Sequence, residues 1–319
     1  MKLRCAILDD FQGVALSMAD WARLDDRVEV RSFREHLGSE DAVAAAIADC
    51  EIVVIMRERT PFPASLLDRL PKLRLLITSG MRNASVDRGA AARQGVTVCG
   101  TASSPAPPTE LTWALLLGLA RNIVPEANAL RTGGPWQSTI GADLHGARLG
   151  LLGLGKIGGR MAAIGRAFGM EVAAWSQNLT AERAAEVGAE RAESLDQLLR
   201  TSDFVSVHLQ LSDRTRGLLG ERELSLMQPS AYVINTSRAA IVDQRAMVDA
   251  LVQGRIAGAG VDVFEHEPLP ADDPLRTAPN LLGLPHLGYV TRGNYAERFF
   301  PEAVEDIEAY LDGTPVRLL

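Results

Sequence analysis

The sequence predicts an α/β protein with two doubly wound parallel-sheet domains, one of them inserted into the other. Three observations favour this fold class. The chain has 319 residues, which is long for one hydrophobic core and suits two domains. Short apolar runs alternate with segments of helical spacing, as in parallel sheets covered by helices on both faces. A Ser- and Pro-rich stretch at 102–108 separates two such series.

The first series occupies residues 1–99. Apolar runs predict strands at 3–8, 28–33, 52–56, 73–77 and 96–99. Helical composition between them predicts helices at 42–48, 64–70 and 86–93. A helix from about 109 to 122 follows the Pro-rich stretch. Pro125 is expected to open another helix, which ends near Gly133.

The second series predicts six strands, at 149–152, 172–175, 204–208, 232–235, 260–263 and 281–284. Helices are expected between them at 157–168, 194–199 and 244–253. Six strands suffice for a complete dinucleotide-binding sheet. A final amphipathic helix at 297–311, interrupted early by Pro301, could return to the first series. The expected domains are therefore 1–99 plus 291–319, which is discontinuous, and the inserted 100–290.

Composition and charge argue against several classes of protein. An apolar content of 47% and a charged content of 23% are those of a globular protein. The formal net charge of −7 argues against nucleic acid or an anionic membrane as partner. The longest apolar stretch, 111–120, is too short to span a bilayer, and residues 3–8 are a strand rather than a signal peptide. Three widely spaced cysteines form neither a disulfide framework nor a metal-binding pair and suit the cytoplasm.

The strongest local signal is the sequence GLGKIG at 153–158. It follows the predicted strand 149–152 and opens a predicted helix. In that setting Gly153 makes the tight turn, Gly155 lets the backbone approach a pyrophosphate, and Gly158 permits close helix–strand packing. The helix N-terminus then offers N–H groups to phosphates. The alternative is a glycine-rich turn without a ligand.

A second set of polar residues follows the later strands. Arg238 comes after the strand 232–235, Asp262 and Glu267 lie at and beyond the end of 260–263, and His286 follows 281–284. Ligands of open α/β sheets bind outside the carboxyl ends of the strands, near the point where strand order reverses. These residues can therefore meet the glycine loop in one crevice.

This set suits reduction of a 2-keto acid by a hydride from a dinucleotide. His286 is the natural proton donor, since imidazole titrates near neutral pH. Glu267 would favour the protonated imidazole through an ion pair. Arg238 would hold the substrate carboxylate and polarise the carbonyl with its planar fork. Taken singly, each has a simpler interpretation as a loop or surface residue.

Other candidates compete with these residues. His266 adjoins Glu267, but neighbours on an extended segment point in opposite directions. His208 ends a predicted strand and could line the cofactor crevice. Arg57 and Arg59 follow the strand 52–56 and could contact substrate, although solvated surface is the simpler interpretation in this arginine-rich chain. Arg82 is similar.

Four stretches together resemble the D-isomer-specific 2-hydroxyacid dehydrogenase family, which includes phosphoglycerate dehydrogenases and hydroxypyruvate and glyoxylate reductases. They are GLLGLGKIG at 150–158, NTSR at 235–238, GVDVFEHEP at 260–268 and PHLG at 285–288. The resemblance extends to GMRNASVD at 80–87 and so covers nearly the whole chain.

The resemblance implies a Rossmann cofactor domain inserted into a discontinuous, flavodoxin-like substrate domain. It implies Arg238, Glu267 and His286 as the catalytic set and Asp262 near the nicotinamide carboxamide. A substrate-binding loop would hold the carboxylate through backbone N–H groups, with Arg82 or Asn83 assisting; its residues are Gly80, Met81, Arg82 and Asn83. The expected cofactor-binding residues are Gly153, Gly155, Lys156, Ile157, Gly158, Ser176, His208, Thr236, Asp262 and Gly288. No metal site is expected. The resemblance also implies a homodimer built through the cofactor domain.

Two positions depart from the family pattern. Ala239 stands where a Gly usually follows the catalytic Arg, which puts the local backbone geometry in question. The acidic residue expected at the end of the second strand is replaced by Ser176, followed by Gln177 and Asn178. That acid binds the adenosine ribose of NAD and repels the 2′-phosphate of NADP. The cofactor is therefore expected to be NAD or NADP, with NADP accepted at least comparably.

The sequence leaves two functional classes open. The first is an NAD(P)-dependent dehydrogenase that acts on the CH–OH group of a small 2-hydroxy acid or reduces the 2-keto acid. The alternative is a dinucleotide-sensing interaction protein with little turnover, because transcriptional corepressors of the C-terminal-binding-protein type resemble the same family. The acidic charge weighs against that alternative.

Overall fold

The computed structural model describes residues 2–319, and the chain divides into two compact units. Unit 1 comprises the described residues up to Ser104 together with Val290–Leu319, and unit 2 comprises Pro105–Tyr289. Each unit contains one parallel sheet with helices around it. The predicted fold class, two parallel-sheet α/β domains, is confirmed.

Unit 1 is built on a five-stranded sheet with the order β2-β1-β3-β4-β5. Its strands are β1 (Leu3–Ile7), β2 (Val28–Ser32), β3 (Ile52–Ile55), β4 (Leu75–Thr78) and β5 (Thr97–Gly100). All four pairings are parallel, which is the flavodoxin-like arrangement. Every residue of β3 and β4 is buried, as expected for central strands covered on both faces.

Three α-helices lie between the strands of unit 1, and side chains satisfy the first N–H groups of the first and the third of them. They are α1 (Glu40–Ile47), α2 (Ala64–Leu67) and α3 (Arg88–Arg93). The Ser39 hydroxyl accepts from the N–H of Ala42, and the Asp87 carboxylate accepts from the N–H of Ala90. The helix predicted from residue 86 starts later because Asp87 is its cap and Val86 forms a β-bridge with Phe62.

Unit 2 begins with two helices, α4 (Ala106–Ala120) and α5 (Ile123–Thr132). Pro125 was expected to open the second helix, but that helix starts two residues earlier, after Asn122. Asn122 has φ +49, a left-handed conformation that asparagine tolerates and that turns the chain between α4 and α5. Gly133, with φ +69, ends α5 near the predicted position.

A seven-stranded parallel sheet follows, with the order β12-β11-β10-β9-β6-β7-β8. Its strands are β6 (Arg148–Leu152), β7 (Glu171–Trp175), β8 (Glu190–Arg191), β9 (Phe204–Val207), β10 (Tyr232–Asn235), β11 (Gly258–Val261) and β12 (Leu281–Gly283). Its helices are α6 (Lys156–Ala167), α7 (Ala181–Glu186), α8 (Leu195–Thr201), α9 (Glu221–Leu226) and α10 (Gln244–Val252). The six predicted strands are present, and β8 is an additional edge strand.

Strand order reverses between β6 and β9. The chain moves outward from β6 through β7 to β8, then crosses to β9 on the other side of β6. The carboxyl ends of these strands therefore border a crevice of the kind in which α/β proteins bind ligands. The loops after β6, β9, β10, β11 and β12 all leave from this edge.

The chain then returns to unit 1 through α11 (Arg292–Asn294), a π-helical turn at Tyr295–Phe299, and α12 (Phe300–Leu311). Pro301 was expected to interrupt this helix, and that prediction is wrong. Proline lacks an N–H group, and in a regular α-helix its ring would crowd the preceding turn. Here the preceding turn, Tyr295–Phe299, is a wider π-helical turn, which makes room for the ring. The helix therefore continues through Pro301.

The last residues add to the edge of the unit 1 sheet. Leu318 forms an antiparallel bridge with Cys99, and the N–H of Leu319 donates to the carbonyl of Val98 at 3.0 Å. The three cysteines are buried and free of disulfides. Among residues 2–319 no helix combines the length and apolar character needed to cross a bilayer.

Candidate active site

The glycine loop joins β6 to α6 at the reversal of strand order. Gly153 has φ +98, and a Cβ there would lie 2.8 Å from the carbonyl oxygen of His208. A Cβ on Gly158 would lie 2.1 Å from the carbonyl oxygen of Gly153. Both glycines are therefore required by the fold itself.

Gly155 has a different reason to be glycine. Apart from the glycine itself, its two chain neighbours and the nearby backbone of its own helix, no heavy atom among residues 2–319 lies within 4 Å of the place its Cβ would occupy. Space is thus open where a dinucleotide phosphate would approach the backbone. Gly155 is also the N-cap of α6. Of the first two residues of that helix, Lys156 is exposed and Ile157 is half-buried. The loop fits a pyrophosphate at a helix N-terminus.

Other expected cofactor residues lie along the same edge. Ser176 follows β7 and is half-buried. His208 follows β9, its Nε2 lies 2.9 Å from the hydroxyl of Ser206, and burial lowers the pKa of His208 to about 4. A neutral imidazole therefore borders the glycine loop at physiological pH. The hydroxyl of Thr236, after β10, lies 2.7 Å from that of Thr112.

His286 and Glu267 form the central pair. Nδ1 of His286 lies 2.7 Å from Oε2 of Glu267, and both side chains are less than one-quarter exposed. The other carboxylate oxygen, Oε1, accepts from the N–H of Phe264 at 3.0 Å, so the glutamate is itself oriented. The ring of Tyr289 meets the imidazole edge-on at 5.4 Å. Because Nδ1 is engaged, Nε2 is the nitrogen available for proton exchange with a substrate.

Asp262 holds the turn that carries His286. Its carboxylate is buried and accepts from the N–H groups of Leu287 at 2.7 Å and Gly288 at 2.8 Å. Burial raises the pKa of Asp262 to about 6, although these N–H donors and His286 act in the opposite direction. Asp262, expected beside the nicotinamide, thus accepts hydrogen bonds at both carboxylate oxygens from the turn that carries His286.

Arg238 is placed by β10. The register pairs Asn235 with Val261 and Val261 with Gly283, so β10, β11 and β12 end side by side. Arg238 lies just beyond the first of these ends, as His286 lies beyond the last. Its backbone is extended, and Ala239 begins a short 3₁₀ turn that alanine adopts without strain. The substitution of Ala for the usual Gly therefore leaves the local geometry sound.

His266 is excluded from this group by its position. It is exposed, whereas its neighbour Glu267 is half-buried and bonded to His286. Residues 265–268 form a bend rather than the extended segment expected from the sequence, so the difference in exposure comes from the fold of this loop.

The expected substrate loop, Gly80–Asn83, lies in unit 1. Met81 and Arg82 are exposed, while the N–H of Gly80 donates to the hydroxyl of Thr101 at 3.1 Å. The amide of Asn83 donates to the carbonyl of Arg57 at 2.7 Å and to the hydroxyl of Thr78 at 2.9 Å. The Asn83 side chain thus helps to shape the loop. The loop's role in binding substrate stays a proposal.

Arg57 and Arg59, for which solvated surface was the simpler interpretation, contact other parts of unit 1 instead. Arg59 is buried, and its guanidinium carbon lies 4.7 Å from the centre of the Phe11 ring. Arg57 has φ +55, and its N–H donates to the hydroxyl of Ser79 at 2.9 Å. The sequence shows the charge of these residues but not the aromatic ring and hydroxyl that meet them from distant loops.

The comparisons with known proteins agree with this geometry. Residues 113–288 match the family model of the D-isomer specific 2-hydroxyacid dehydrogenase NAD binding domain. A glyoxylate reductase of Aeropyrum pernix is 40% identical over 257 residues, which cover 78% of this chain and 76% of the relative. This chain belongs to the D-isomer-specific 2-hydroxyacid dehydrogenases. The resemblance predicted from the sequence is confirmed.

Two further relatives of this dehydrogenase extend the comparison. A phosphoglycerate oxidoreductase from Vibrio cholerae O395 has a TM-score of 0.91 and 34% identity, over 98% of this chain and 99% of that one. A D-3-phosphoglycerate dehydrogenase of Methanocaldococcus jannaschii is 32% identical over 79% of this chain. The match spans only 48% of that relative's length.

The function predicted from the sequence is confirmed at the level of the family. The chain is an oxidoreductase that transfers a hydride between NAD(P) and a small 2-hydroxy or 2-keto acid. The relatives named above are enzymes and give no support to the alternative of a dinucleotide-sensing corepressor.

Proposed function

We propose that His286, Glu267 and Arg238 are the catalytic residues of this dehydrogenase. The observation that carries the proposal is the 2.7 Å contact between His286 and Glu267 on a turn that Asp262 holds at the carboxyl edge of the sheet. A general acid must be oriented before it can protonate a carbonyl oxygen. Here Glu267 contacts the imidazole ring, and Asp262 holds the backbone turn that carries it.

The proposed division of labour follows from the chemistry of each group. When bound, the nicotinamide supplies the hydride for reduction of the keto acid. His286 donates a proton from Nε2 to the carbonyl oxygen, and in the oxidative direction the same atom accepts it. Glu267, whose Oε2 lies 2.7 Å from Nδ1, orients the imidazole ring. The Arg238 guanidinium binds the substrate carboxylate, for which its planar pair of N–H donors is suited.

The substrate proposed for the first test is glyoxylate. Relatives named glyoxylate reductase match this chain over most of their own length. The loop Gly80–Asn83 is proposed as a further contact for the substrate carboxylate through backbone N–H groups. Units 1 and 2 are accordingly proposed as the substrate and cofactor domains.

NADP is proposed to be accepted at least comparably to NAD. The position that carries the discriminating acid in NAD-specific sites is Ser176, a neutral and half-buried residue at the end of β7. Without a carboxylate there, the 2′-phosphate of NADP meets no like charge from that position.

A cytoplasmic homodimer is proposed for the assembled enzyme. The segment 123–140, here named the apolar arm, exposes Trp136 at 79% and Ile140 at 98%. Side chains of this kind are enriched at protein interfaces, and a second copy of the chain is the proposed partner. The three free cysteines support a reducing compartment.

A panel of 2-keto acids with NADH and NADPH tests the proposed function. Cofactor oxidation is followed for glyoxylate, hydroxypyruvate, pyruvate and a phosphorylated 2-keto acid. Turnover of about 1 s⁻¹ or faster with at least one of them is expected of an ordinary enzyme. Negligible rates with every member, together with tight binding of either cofactor, would contradict the proposed catalytic role.

A further inference from the structure

Arg183 reaches from α7 back to the glycine loop. Its Nη2 lies 3.4 Å from the carbonyl oxygen of Leu154, the residue between Gly153 and Gly155. The same nitrogen lies 3.9 Å from where a Cβ on Gly159 would stand. From the sequence alone Arg183 could simply face solvent, but in the structure it borders the loop and is about half exposed.

The helix that carries Arg183 is fixed at its start. The hydroxyl of Thr180 accepts from the N–H of Arg183 at 3.2 Å, so the backbone of this residue belongs to a capped first turn. The preceding residues 176–179 form the turn between β7 and α7, in which the N–H of Leu179 donates to the carbonyl of Ser176 at 3.0 Å. Arg183 is therefore held at a defined distance from the end of β7.

The end of β7 and the glycine loop stand side by side. Leu152 pairs with Trp175, and the N–H of Gly153 donates to the carbonyl of Trp175 at 2.9 Å. In dinucleotide-binding sheets the adenosine ribose lies at this junction, where the acid of NAD-specific sites meets its hydroxyl groups. In this chain the neutral Ser176 follows β7 at this junction, and the guanidinium of Arg183 contacts the adjoining glycine loop at Leu154.

We propose that Arg183 binds the 2′-phosphate of NADP and is the residue that sets the dinucleotide preference of this enzyme. The inference rests on the proposed acceptance of NADP. A guanidinium offers a pair of N–H donors that matches phosphate geometry.

Glu186 is the competitor for this guanidinium. Its Oε2 lies 2.6 Å from Nη1 of Arg183, and both side chains are about half exposed. Exposed pairs three residues apart on a helix are weak, so a phosphate dianion can displace the carboxylate. Glu186 thus lowers the affinity for the 2′-phosphate without abolishing it.

The test compares two fragments of the cofactor that differ only by the phosphate. Adenosine 2′,5′-bisphosphate and adenosine 5′-monophosphate are titrated into the full-length protein by isothermal calorimetry. Arg183→Gln is expected to weaken binding of the bisphosphate by about tenfold or more, the scale of one charge-assisted phosphate contact, and to change the monophosphate Kd by less than about twofold. Glu186→Gln is expected to tighten the bisphosphate only.

Arg200→Gln is the matched control. Arg200 is an exposed arginine at the end of α8, which precedes β9 and so lies at the opposite edge of the sheet from the glycine loop. The substitution Arg200→Gln removes the same positive charge and should leave the Kd of both nucleotides unchanged. An equal effect of Arg183→Gln and Arg200→Gln would show a general field effect and overturn the proposal.

The outcomes separate this inference from the function on which it rests. If the wild type turns over a keto acid with NADH and Arg183→Gln leaves the bisphosphate Kd unchanged, the role of Arg183 is wrong and the proposed function stands. If neither fragment nor either intact cofactor binds the wild type, both are overturned.

Discussion

At the residue scale, the turn that carries His286 depends on an aspartate that follows the neighbouring strand β11. His286 has φ +53, a left-handed conformation that costs a non-glycine residue of order 1 kcal/mol and persists only where the surroundings enforce it. Asp262 enforces it by accepting both following N–H groups, those of Leu287 and Gly288. Asp262 is therefore expected to act on catalysis through the position of His286.

Asp262→Asn tests this positioning role. An asparagine amide has one acceptor oxygen, so one of the two N–H groups would face an NH₂ donor, at a cost of about 1–3 kcal/mol. We expect kcat to fall by about tenfold or more, while the Kd of NADH, measured by fluorescence, changes little. A rise in that Kd with unchanged kcat would instead assign Asp262 to the nicotinamide.

Asp243→Asn is the control for this change. Asp243 also accepts a backbone N–H, that of Ala246, but as the N-cap of α10. Asparagine is as good an N-cap as aspartate, so kcat should be unaffected.

Some contacts in the candidate site are easier to predict from the sequence than others, for a physical reason. Gly153 and Gly158 belong to a local motif in which a strand, a turn and a helix fix every role within six residues. The pairing of His286 with Glu267 joins residues nineteen apart, and the chemistry of a general acid makes it predictable. The Asn83 side-chain amide donates hydrogen bonds to the carbonyl of Arg57 and the hydroxyl of Thr78. These bonds depend on loop conformations that have no such local signature in the sequence.

At the element scale, α12 carries a buried carboxyl group that ties it to the C-terminal segment. Asp306 is fully buried, and its Oδ1 accepts from Nε of Arg317 at 2.9 Å. Burial raises the pKa of Asp306 to about 7, and the attraction of Arg317 offsets only part of this effect. The unfolded value of an aspartate is about 3.9.

Asp306→Asn should therefore change how stability depends on pH. Between about pH 4 and 7 the folded chain retains the Asp306 proton and the unfolded chain does not, so this residue's contribution to stability falls as pH rises through that window. The asparagine variant lacks this term. Its Tm relative to wild type should be higher at pH 8 than at pH 5.

Glu305→Gln is the matched variant for that comparison. Glu305 contacts the same arginine at 3.0 Å but is half exposed, so its removal should shift Tm equally at both pH values. A pH-independent effect of Asp306→Asn would contradict the inferred protonation of the buried carboxyl.

At the scale of the whole molecule, the apolar arm is the surface on which the proposed dimer depends. Trp136→Glu should lower the mass measured by light scattering from that of two chains toward that of one, because a carboxylate would have to be desolvated in the interface. Val252→Glu, at another exposed apolar side chain of unit 2, should leave the mass unchanged. A wild type of single-chain mass at micromolar concentration would contradict the dimer.

The elements missed from the sequence are short or exposed ones. β8 consists of Glu190 and Arg191, two exposed residues on the sheet edge, so no apolar run signals it. The helices α7 and α9 have six residues each, too few to display helical periodicity. Buried strands such as β10 were predicted to the residue, since continuous apolar runs bounded by polar turns are distinctive.

The most direct test of the catalytic assignment is a single-turnover measurement on His286→Gln. Cofactor oxidation is followed by stopped flow with the best acceptor of the keto-acid panel, and the Kd of the reduced cofactor is measured in parallel. Glutamine resembles histidine in size but cannot supply an imidazolium proton, so the rate should fall by about 10²-fold or more while the Kd stays within about twofold. A rate equal to that of the wild type would remove His286 from the mechanism and with it the role proposed for Glu267.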